Sequence, residues 1–148
     1  MSQPILPATV IGSWSFPGWY EAFIRNVAEN PDGFGTQDRD EATLDAVRLA
    51  IDDQLRAGLD RITDGEMQRV DFNLGFYAYL YGLSSLPKPR LLGAPAHDQR
   101  DRYLCHGPIT APAGLGVVAE YRRFRSFCNA TAKVPVPGPF TQIGRAHV

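Results

Sequence analysis

Residues 54–66 read QLRAGLDRITDGE, and they pass from the end of a helix through a turn into a short strand and a polar loop. Upstream of them, apolar residues recur at helical spacing from Leu44 to Leu55, which indicates an amphipathic helix that stops at Gly58. Residues 59–63 then combine apolar and β-branched side chains, as is typical of a strand. A helix that leads directly into a strand is half of a β/α unit, so this stretch favours an α/β fold.

An earlier strand is predicted at residues 8–11, an apolar, β-branched run that ends at Gly12-Ser13. A loop rich in glycine, proline and aromatic residues follows it, with one or two helical turns around residues 19–27. The whole segment between the two strands is long enough for the crossover that joins parallel strands. We therefore expect parallel strands whose following loops open on the same side of the sheet.

Further elements are predicted downstream. They are an aromatic-rich helix at 71–83, a third strand at 102–106, a helix at 117–128 with Val118, Tyr121 and Phe124 facing inward, and an extended segment at 134–137. This alternation of strands and helices favours parallel β/α architecture. A closed (β/α)8 TIM barrel needs eight strands and about 250 residues. About four strands are predicted here, so we expect the truncated N-terminal part of such a barrel.

Composition excludes several classes of function. The chain carries 15 basic and 16 acidic residues, a net charge of -1, so we expect neither a nucleic-acid partner nor a membrane partner. It has no signal-peptide pattern and no apolar run long enough to span a bilayer, which predicts a cytoplasmic protein. The two cysteines, Cys105 and Cys128, are too few for a disulfide framework, and each is expected to be a small buried residue.

The loops after the first two strands carry the residues best suited to bind a ligand. If these strands are neighbours, the main-chain N–H groups of Gly12 and Ser13 could hold a carboxylate, while Glu66 accepts a hydrogen bond from an ammonium group. Together they would bind an amino acid. The alternative is that Gly12 only forms a turn and that Glu66 caps the next helix or pairs with Arg69. The sequence alone leaves both interpretations open.

Three stretches of the chain resemble successive motifs of the cobalamin-independent methionine synthase catalytic domain. They are residues 9–13 (TVIGS) with Phe16-Pro17, residues 54–66 with Arg69 and Asp71, and residues 137–141 (PGPFT). Their order and spacing also match. The superfamily includes uroporphyrinogen decarboxylase and several thiol methyltransferases.

The resemblance implies that Ile11, Gly12, Ser13 and Glu66 bind the amino-acid part of homocysteine or methionine in a barrel. It also places Arg69 beside this site, where it would orient Glu66 or a neighbouring loop. The implied activity is transfer of a methyl group to the thiol of homocysteine.

Three further residues are possible supports of the pocket. Asp71 matches a family position beside Glu66. Trp14 could cover the substrate or stack on a pterin, although packing of its own loop is the simpler interpretation. His106, at the end of the predicted third strand, could face the pocket or be a hydrogen-bonded structural histidine.

The family also implies a zinc ion, held by His, Cys and Glu ligands, that binds the homocysteine sulfur. No His-x-Cys pattern occurs in this chain, since Cys105 and His106 are adjacent, so we assign no metal ligand here and expect zinc only in the full-length protein. Trp14-Ser15 is inserted where the family runs directly from Ser to the aromatic residue and Pro. The methyl donor is therefore left open between a folate and a corrinoid.

The sequence suggests residues 1–142 as the N-terminal half of a methionine synthase-like barrel and residues 143–148 as a non-native extension. The last six residues, IGRAHV, do not continue the family pattern and read like a translated sequencing adapter. Such a fragment is expected to be inactive by itself. The alternatives are a related superfamily enzyme, of the decarboxylase or coenzyme-thiol methyltransferase type, or a non-catalytic half-barrel module that pairs with a second copy. The oligomeric state is left open.

Overall fold

The computed structural model describes residues 4–69, 74–86, 103–138 and 146–147, the last pair by its backbone alone. Its helices are α1 (Gly18–Glu29), α2 (Thr36–Arg56) and α3 (Val117–Phe127), with shorter 3-10 helices at Pro31–Gly33 and Leu74–Tyr79. Its strands are β1 (Tyr81–Ser85), β2 (Tyr103–Thr110) and β3 (Ala146–His147). The chain is an α/β protein that groups into two compact units, Met1–Val70 with Val118–Pro135, and Asp71–Val117 with Val136–Val148.

The first unit contains three short parallel segments. Thr9 pairs in parallel with Arg61, and Ile62 pairs in parallel with Ala132. The amides of Asp60 and Arg61 donate to Ala8 O at 3.0 and 3.2 Å, and the amide of Ile62 donates to Thr131 O at 3.0 Å. The predicted parallel pairing of the first two strands is confirmed, although each is reduced to an isolated bridge rather than a full strand.

The core of the first unit forms where α2 and α3 cover these segments. Its fully or nearly fully buried apolar residues are Tyr20, Ala46, Val47, Ala50, Ile51, Ile62, Met67, Phe124 and Cys128. Small side chains at Ala46 and Ala50 let α2 approach the second segment closely, so the buried face of α2 is rotated away from Leu44 and Leu55. Gly58 follows α2 with φ 74°, as its predicted role as the helix stop requires.

Two predicted helices differ from the structure in detail. The helical turns expected around residues 19–27 belong to a complete 12-residue helix, α1, which buries Tyr20. On α3 the prediction that Val118 and Tyr121 face inward is wrong, because their side chains are 62% and 42% exposed. Only the end of α3 packs on the core, through Phe124 and then Cys128 one turn later.

Two predictions about the second unit are wrong. Residues 71–83 do not form one helix: 71–73 lie outside the described residues, Leu74–Tyr79 is a 3-10 helix, and β1 begins at Tyr81. Gly82 has φ 84°, and a Cβ there would lie 2.4 Å from Pro108 O, so this glycine permits close pairing of β1 with β2.

The predicted third strand exists but is not a third parallel strand. β2 extends over Tyr103–Thr110 and pairs antiparallel with β1. Periodicity identifies a strand without giving its direction, which is why the sequence misassigned it. The third parallel segment of the first unit is instead formed around Ala132, just before the predicted extended segment at 134–137. Ala146–His147 pairs in parallel with Tyr103 and Leu104 of β2.

Both cysteines were predicted to be buried, and only Cys128 is fully buried. Cys128 is buried in the core, and Cys105 on β2 is half-buried with its thiol 3.3 Å from Gly107 O. Both are free thiols. None of the helices among the described residues has the length and apolar composition needed to cross a membrane.

Candidate functional site

The loops that follow the first and second parallel segments lie in direct contact. We call residues 11–14 the first loop and residues 64–69 the second loop. The amide of Trp14 donates to Gly65 O at 3.0 Å, and Ser13 Oγ donates to Glu66 Oε2 at 2.7 Å. The structure therefore brings together the serine and the carboxylate that the sequence placed on one side of the sheet.

The second loop has an unusual backbone at the residue that carries the carboxylate. Gly65 and Glu66 have φ values of 73° and 59°, so a non-glycine residue occupies the left-handed region. Local hydrogen bonds support this turn: Gly65 N donates to Thr63 Oγ1 at 2.9 Å, Glu66 N to Asp64 Oδ1 at 3.0 Å, and Arg69 N to Glu66 O at 2.9 Å. The conformation aims the Glu66 side chain inward, where it is only 3% exposed.

One oxygen of the Glu66 carboxylate is buried without a partner. Oε2 accepts the hydrogen bond from Ser13, whereas Oε1 has no hydrogen-bond partner among the described residues. A buried carboxylate oxygen without a donor is costly, and such atoms mark places where a ligand donor can bind. Oε1 faces Gly12, since a Cβ built on Gly12 would lie 3.5 Å from it.

The first loop offers donors beside this acceptor. Within the part of the chain that the structure describes, no protein acceptor receives a hydrogen bond from the main-chain N–H of Gly12 or of Ser13. Ile11, just before them, is 89% exposed. The site therefore presents free main-chain donors next to a buried, unpaired carboxylate oxygen, which is an arrangement that suits a zwitterion.

A buried glutamine to which the sequence analysis gave no role fixes the start of the second loop. Gln54 on α2 is completely buried, and its side-chain nitrogen donates to Ala50 O at 2.7 Å and to Thr63 O at 2.9 Å. Its side-chain oxygen accepts from Thr63 N at 2.9 Å. A polar residue on the apolar face of a predicted helix was the available signal, because a buried amide must find partners. Gln54 thereby sets where the second segment ends relative to α2.

Arg69 closes the other end of the second loop. Its Nε donates to Glu120 Oε1 at 3.0 Å, Nη2 contacts Glu120 Oε2, and Nη1 donates to Pro135 O at 2.8 Å. The alternative in which Glu66 pairs with Arg69 is therefore wrong, since Glu66 bonds to Ser13 and Arg69 is paired with Glu120. The sequence analysis gave no role to Glu120, which lies 51 residues further along the chain.

The chain is similar over nearly its whole length to known enzymes. It is 42% identical over 141 residues, 93% of this chain, to the methionine synthase of Sulfolobus acidocaldarius, and 29% identical over 146 residues to that of Pyrococcus horikoshii, which covers 95% of it. It spans 39% and 40% of the lengths of these two curated relatives. The chain belongs to the methionine synthase family. No protein-family model matches it.

The fold of this methionine synthase homologue is also that of the B12-independent enzymes. A B12-independent methionine synthase from a Shewanella species, solved in complex with selenomethionine, superposes with a TM-score of 0.72 at 23% identity. The match covers 97% of this chain and 41% of that one. The family thus supports the methyltransferase and methionine-biosynthesis assignments that the sequence motifs implied.

The remaining predicted supports of the methionine synthase site lie in different places. The ring of Trp14 packs against the core, and its Nε1 donates to Asp53 Oδ2 at 3.3 Å, which favours a role in fixing the first loop. The side chain of His106 is exposed on β2, in the second unit, and makes no hydrogen bond to a described residue, which gives no support to the alternative role of a hydrogen-bonded structural histidine. Asp71 lies outside the described residues, as do Pro139, Phe140 and Thr141 of the third motif.

The zinc ion that the resemblance implies does not fit the described part of this homologue. Across residues 4–69, 74–86 and 103–138, no three His, Cys, Asp or Glu side chains converge as a metal site would require. Cys128, directly after α3, is buried in the core of the first unit. The described residues therefore include no cluster that could hold a metal ion.

Proposed function

We propose that this chain supplies the homocysteine-binding part of a (β/α)8-barrel methyltransferase that forms methionine. The three parallel segments, with α2 and α3 against them, would be the beginning of that barrel. The observation that carries the proposal is the buried, unpartnered Oε1 of Glu66 beside the free N–H groups of Gly12 and Ser13. The methyl donor would be a folate or a corrinoid.

The two loops would divide the recognition of the amino acid between them. The main-chain N–H groups of Gly12 and Ser13 would donate to its carboxylate, and Glu66 Oε1 would accept from its ammonium group. Because Oε1 is already desolvated, the ammonium gains a charge-assisted hydrogen bond without first removing water from the carboxylate. Ser13 Oγ holds the other oxygen of Glu66 and thereby fixes the direction of the free one.

The solved neighbour that superposes on this chain contains selenomethionine, an amino acid of the expected size and charge. Activation of the homocysteine thiol requires a group that lowers its pKa, such as a metal ion, and the described residues include no His, Cys, Asp and Glu cluster that could hold one. We therefore expect the chain by itself to bind the amino acid without transferring a methyl group.

Binding of L-methionine to the purified chain tests the proposal, with isothermal titration calorimetry as the readout. The Glu66→Gln variant should bind L-methionine about 10-fold to 100-fold more weakly, because a hydrogen bond to a charged group contributes about 1.5 to 3 kcal/mol. Glu21→Gln is the matched control, since Glu21 lies exposed on α1 in an ion pair with Arg25 and should leave affinity unchanged.

An analogue without the amino group sharpens the test. 4-(Methylthio)butanoate keeps the carboxylate, the carbon chain and the thioether of methionine but cannot donate to Glu66, so the wild type and the Glu66→Gln variant should bind it equally weakly. Equal affinity of both proteins for L-methionine would refute the proposed role of Glu66.

A further inference from the structure

Resting on the proposed function, we infer that the ion pair between Arg69 and Glu120 is a positioning device that holds the Glu66 carboxylate in its ligand-binding orientation. Neither residue would touch the amino acid. Arg69 follows Glu66 by one turn of chain, and its amide bonds to the carbonyl of Glu66 at 2.9 Å. The guanidinium of Arg69 is thus coupled through its own backbone to the residue that would bind the ammonium group.

The guanidinium joins the second loop to two other parts of the first unit. Both carboxylate oxygens of Glu120, on α3, accept from it, and so does Pro135 O in the extended segment after Ala132. The planar guanidinium matches a carboxylate in this two-point arrangement, which fixes direction as well as distance. The second loop is therefore held from α3 and from the segment beyond it.

The backbone of Glu66 explains why such a restraint is useful. A non-glycine residue with φ 59° is in a sparsely populated conformation that persists only where surrounding contacts determine it. If the restraint is loosened, Glu66 can relax to negative φ, and its carboxylate then leaves Ser13 and the space beside Gly12. Affinity for the amino acid would fall even though every contacting residue is still present.

The side chains of this pair are less exposed than those of the other ion pairs that the structure describes in the first unit. The side chains of Arg69 and Glu120 are 5% and 14% exposed, whereas those of Arg56 and Asp52 on α2 are 78% and 51% exposed. Loss of one partner of a buried pair costs more than loss of one partner of an exposed pair, which water replaces at little cost. Glu120→Gln should therefore disturb the second loop, and Asp52→Asn is its matched control.

The experiment measures two properties of the Glu120→Gln and Asp52→Asn chains: amide hydrogen exchange of residues 65–69 and affinity for L-methionine. We expect exchange about 10-fold faster and affinity about 10-fold weaker for Glu120→Gln, and no change for Asp52→Asn. Arg69→Lys, which keeps the charge and loses the two-point geometry, should show the same pattern more weakly. It serves as the test variant if circular dichroism shows that Glu120→Gln does not fold.

A double-mutant cycle separates positioning from general destabilisation. If Glu120 acts through Glu66, adding Glu120→Gln to the Glu66→Gln chain should weaken L-methionine binding no further. Additive losses, or unchanged exchange at residues 65–69, would overturn the inference, and so would faster exchange with unchanged affinity. If the wild-type chain binds no L-methionine, the proposed function fails, and the exchange data alone decide whether Arg69 and Glu120 hold this turn.

Discussion

The first and second loops meet at one site but are built in opposite ways. The first loop is open: Ile11 is almost fully exposed, and Gly12 and Ser13 keep main-chain donors free. The second loop is largely buried, and the amides of Gly65, Glu66 and Arg69 all donate hydrogen bonds within it or to Thr63. The comparison teaches that the proposed acceptor for a ligand's cation is held by the core, while the proposed donors for its anion lie in an open loop that can adapt.

This difference has a physical reason in the chemistry of the two groups. A carboxylate in a water-poor place must be held in one orientation, because an unpaired charge that can move finds water or another partner. Main-chain N–H groups in an exposed loop are solvated until a ligand replaces the water, so they need no such support. The following predictions test the contrast, from the largest expected effect on stability to the smallest.

Gly65→Ala should destabilise the chain most. Gly65 has φ 73°, and an added Cβ would lie 2.7 Å from Ala50 Cβ and 3.0 Å from Trp14 Cβ. The left-handed conformation and the overpacking together should cost about 2 to 5 kcal/mol of unfolding free energy, measured by urea denaturation. Gly58→Ala is the control, because Gly58 has φ 74° and open space around it, and it should lose only about 1 kcal/mol. Equal losses would show that the second loop is not tightly packed.

Tyr20→Phe should have an intermediate effect, and one that depends on pH. The hydroxyl of Tyr20 donates to Met67 O of the second loop at 2.8 Å, so its removal leaves a buried carbonyl unpaired and should cost about 1 to 3 kcal/mol near neutral pH. Burial also raises the pKa of Tyr20 above its ordinary value of 10.0, against a smaller lowering by its hydrogen bond with Thr43.

The raised pKa of Tyr20 fixes the sign of the pH effect. Between its unfolded and folded pKa values the unfolded chain loses the tyrosine proton while the folded chain keeps it, so the stabilisation present below pH 10.0 is lost as pH rises. Urea denaturation from about pH 8 to about pH 11 should therefore show a smaller alkaline loss for Tyr20→Phe than for the wild type. Tyr81→Phe, at an exposed position on β1, should leave the wild-type profile unchanged. Parallel profiles for Tyr20→Phe and the wild type would contradict the assignment.

Gly12→Ala should change stability least and ligand binding strongly. The added Cβ would meet only Glu66 Oε1, at 3.5 Å, which is an ordinary contact, so the free energy of unfolding should stay within about 0.5 kcal/mol. The methyl group would nevertheless occupy the space beside the free carboxylate oxygen, and L-methionine affinity should fall about 10-fold or more. Unchanged affinity would mean that the ligand does not use the space between the two loops.

Much of the first unit followed from local sequence signals. The helix that ends at Gly58, the parallel segment after it and the polar loop at Asp64 were all predicted from spacing and turn residues, and the structure contains the helix and the loop, with the segment reduced to isolated parallel bridges. The contact between Ser13 and Glu66 followed from one topological rule, that loops after parallel strands share a side. The second unit was predicted poorly, because β1 and β2 pair antiparallel and periodicity carries no direction.

The sequence by itself determined which residues are candidates for binding an amino acid, because the residue types and their places after short apolar runs are local properties. Only the tertiary structure decided which of them have free atoms. That Glu66 keeps one oxygen unpaired, and that Arg69 is paired with Glu120 rather than with Glu66, depends on segments separated by about 50 residues meeting in one core. No pattern within a single stretch specifies such partners, since pairing is settled by packing between elements.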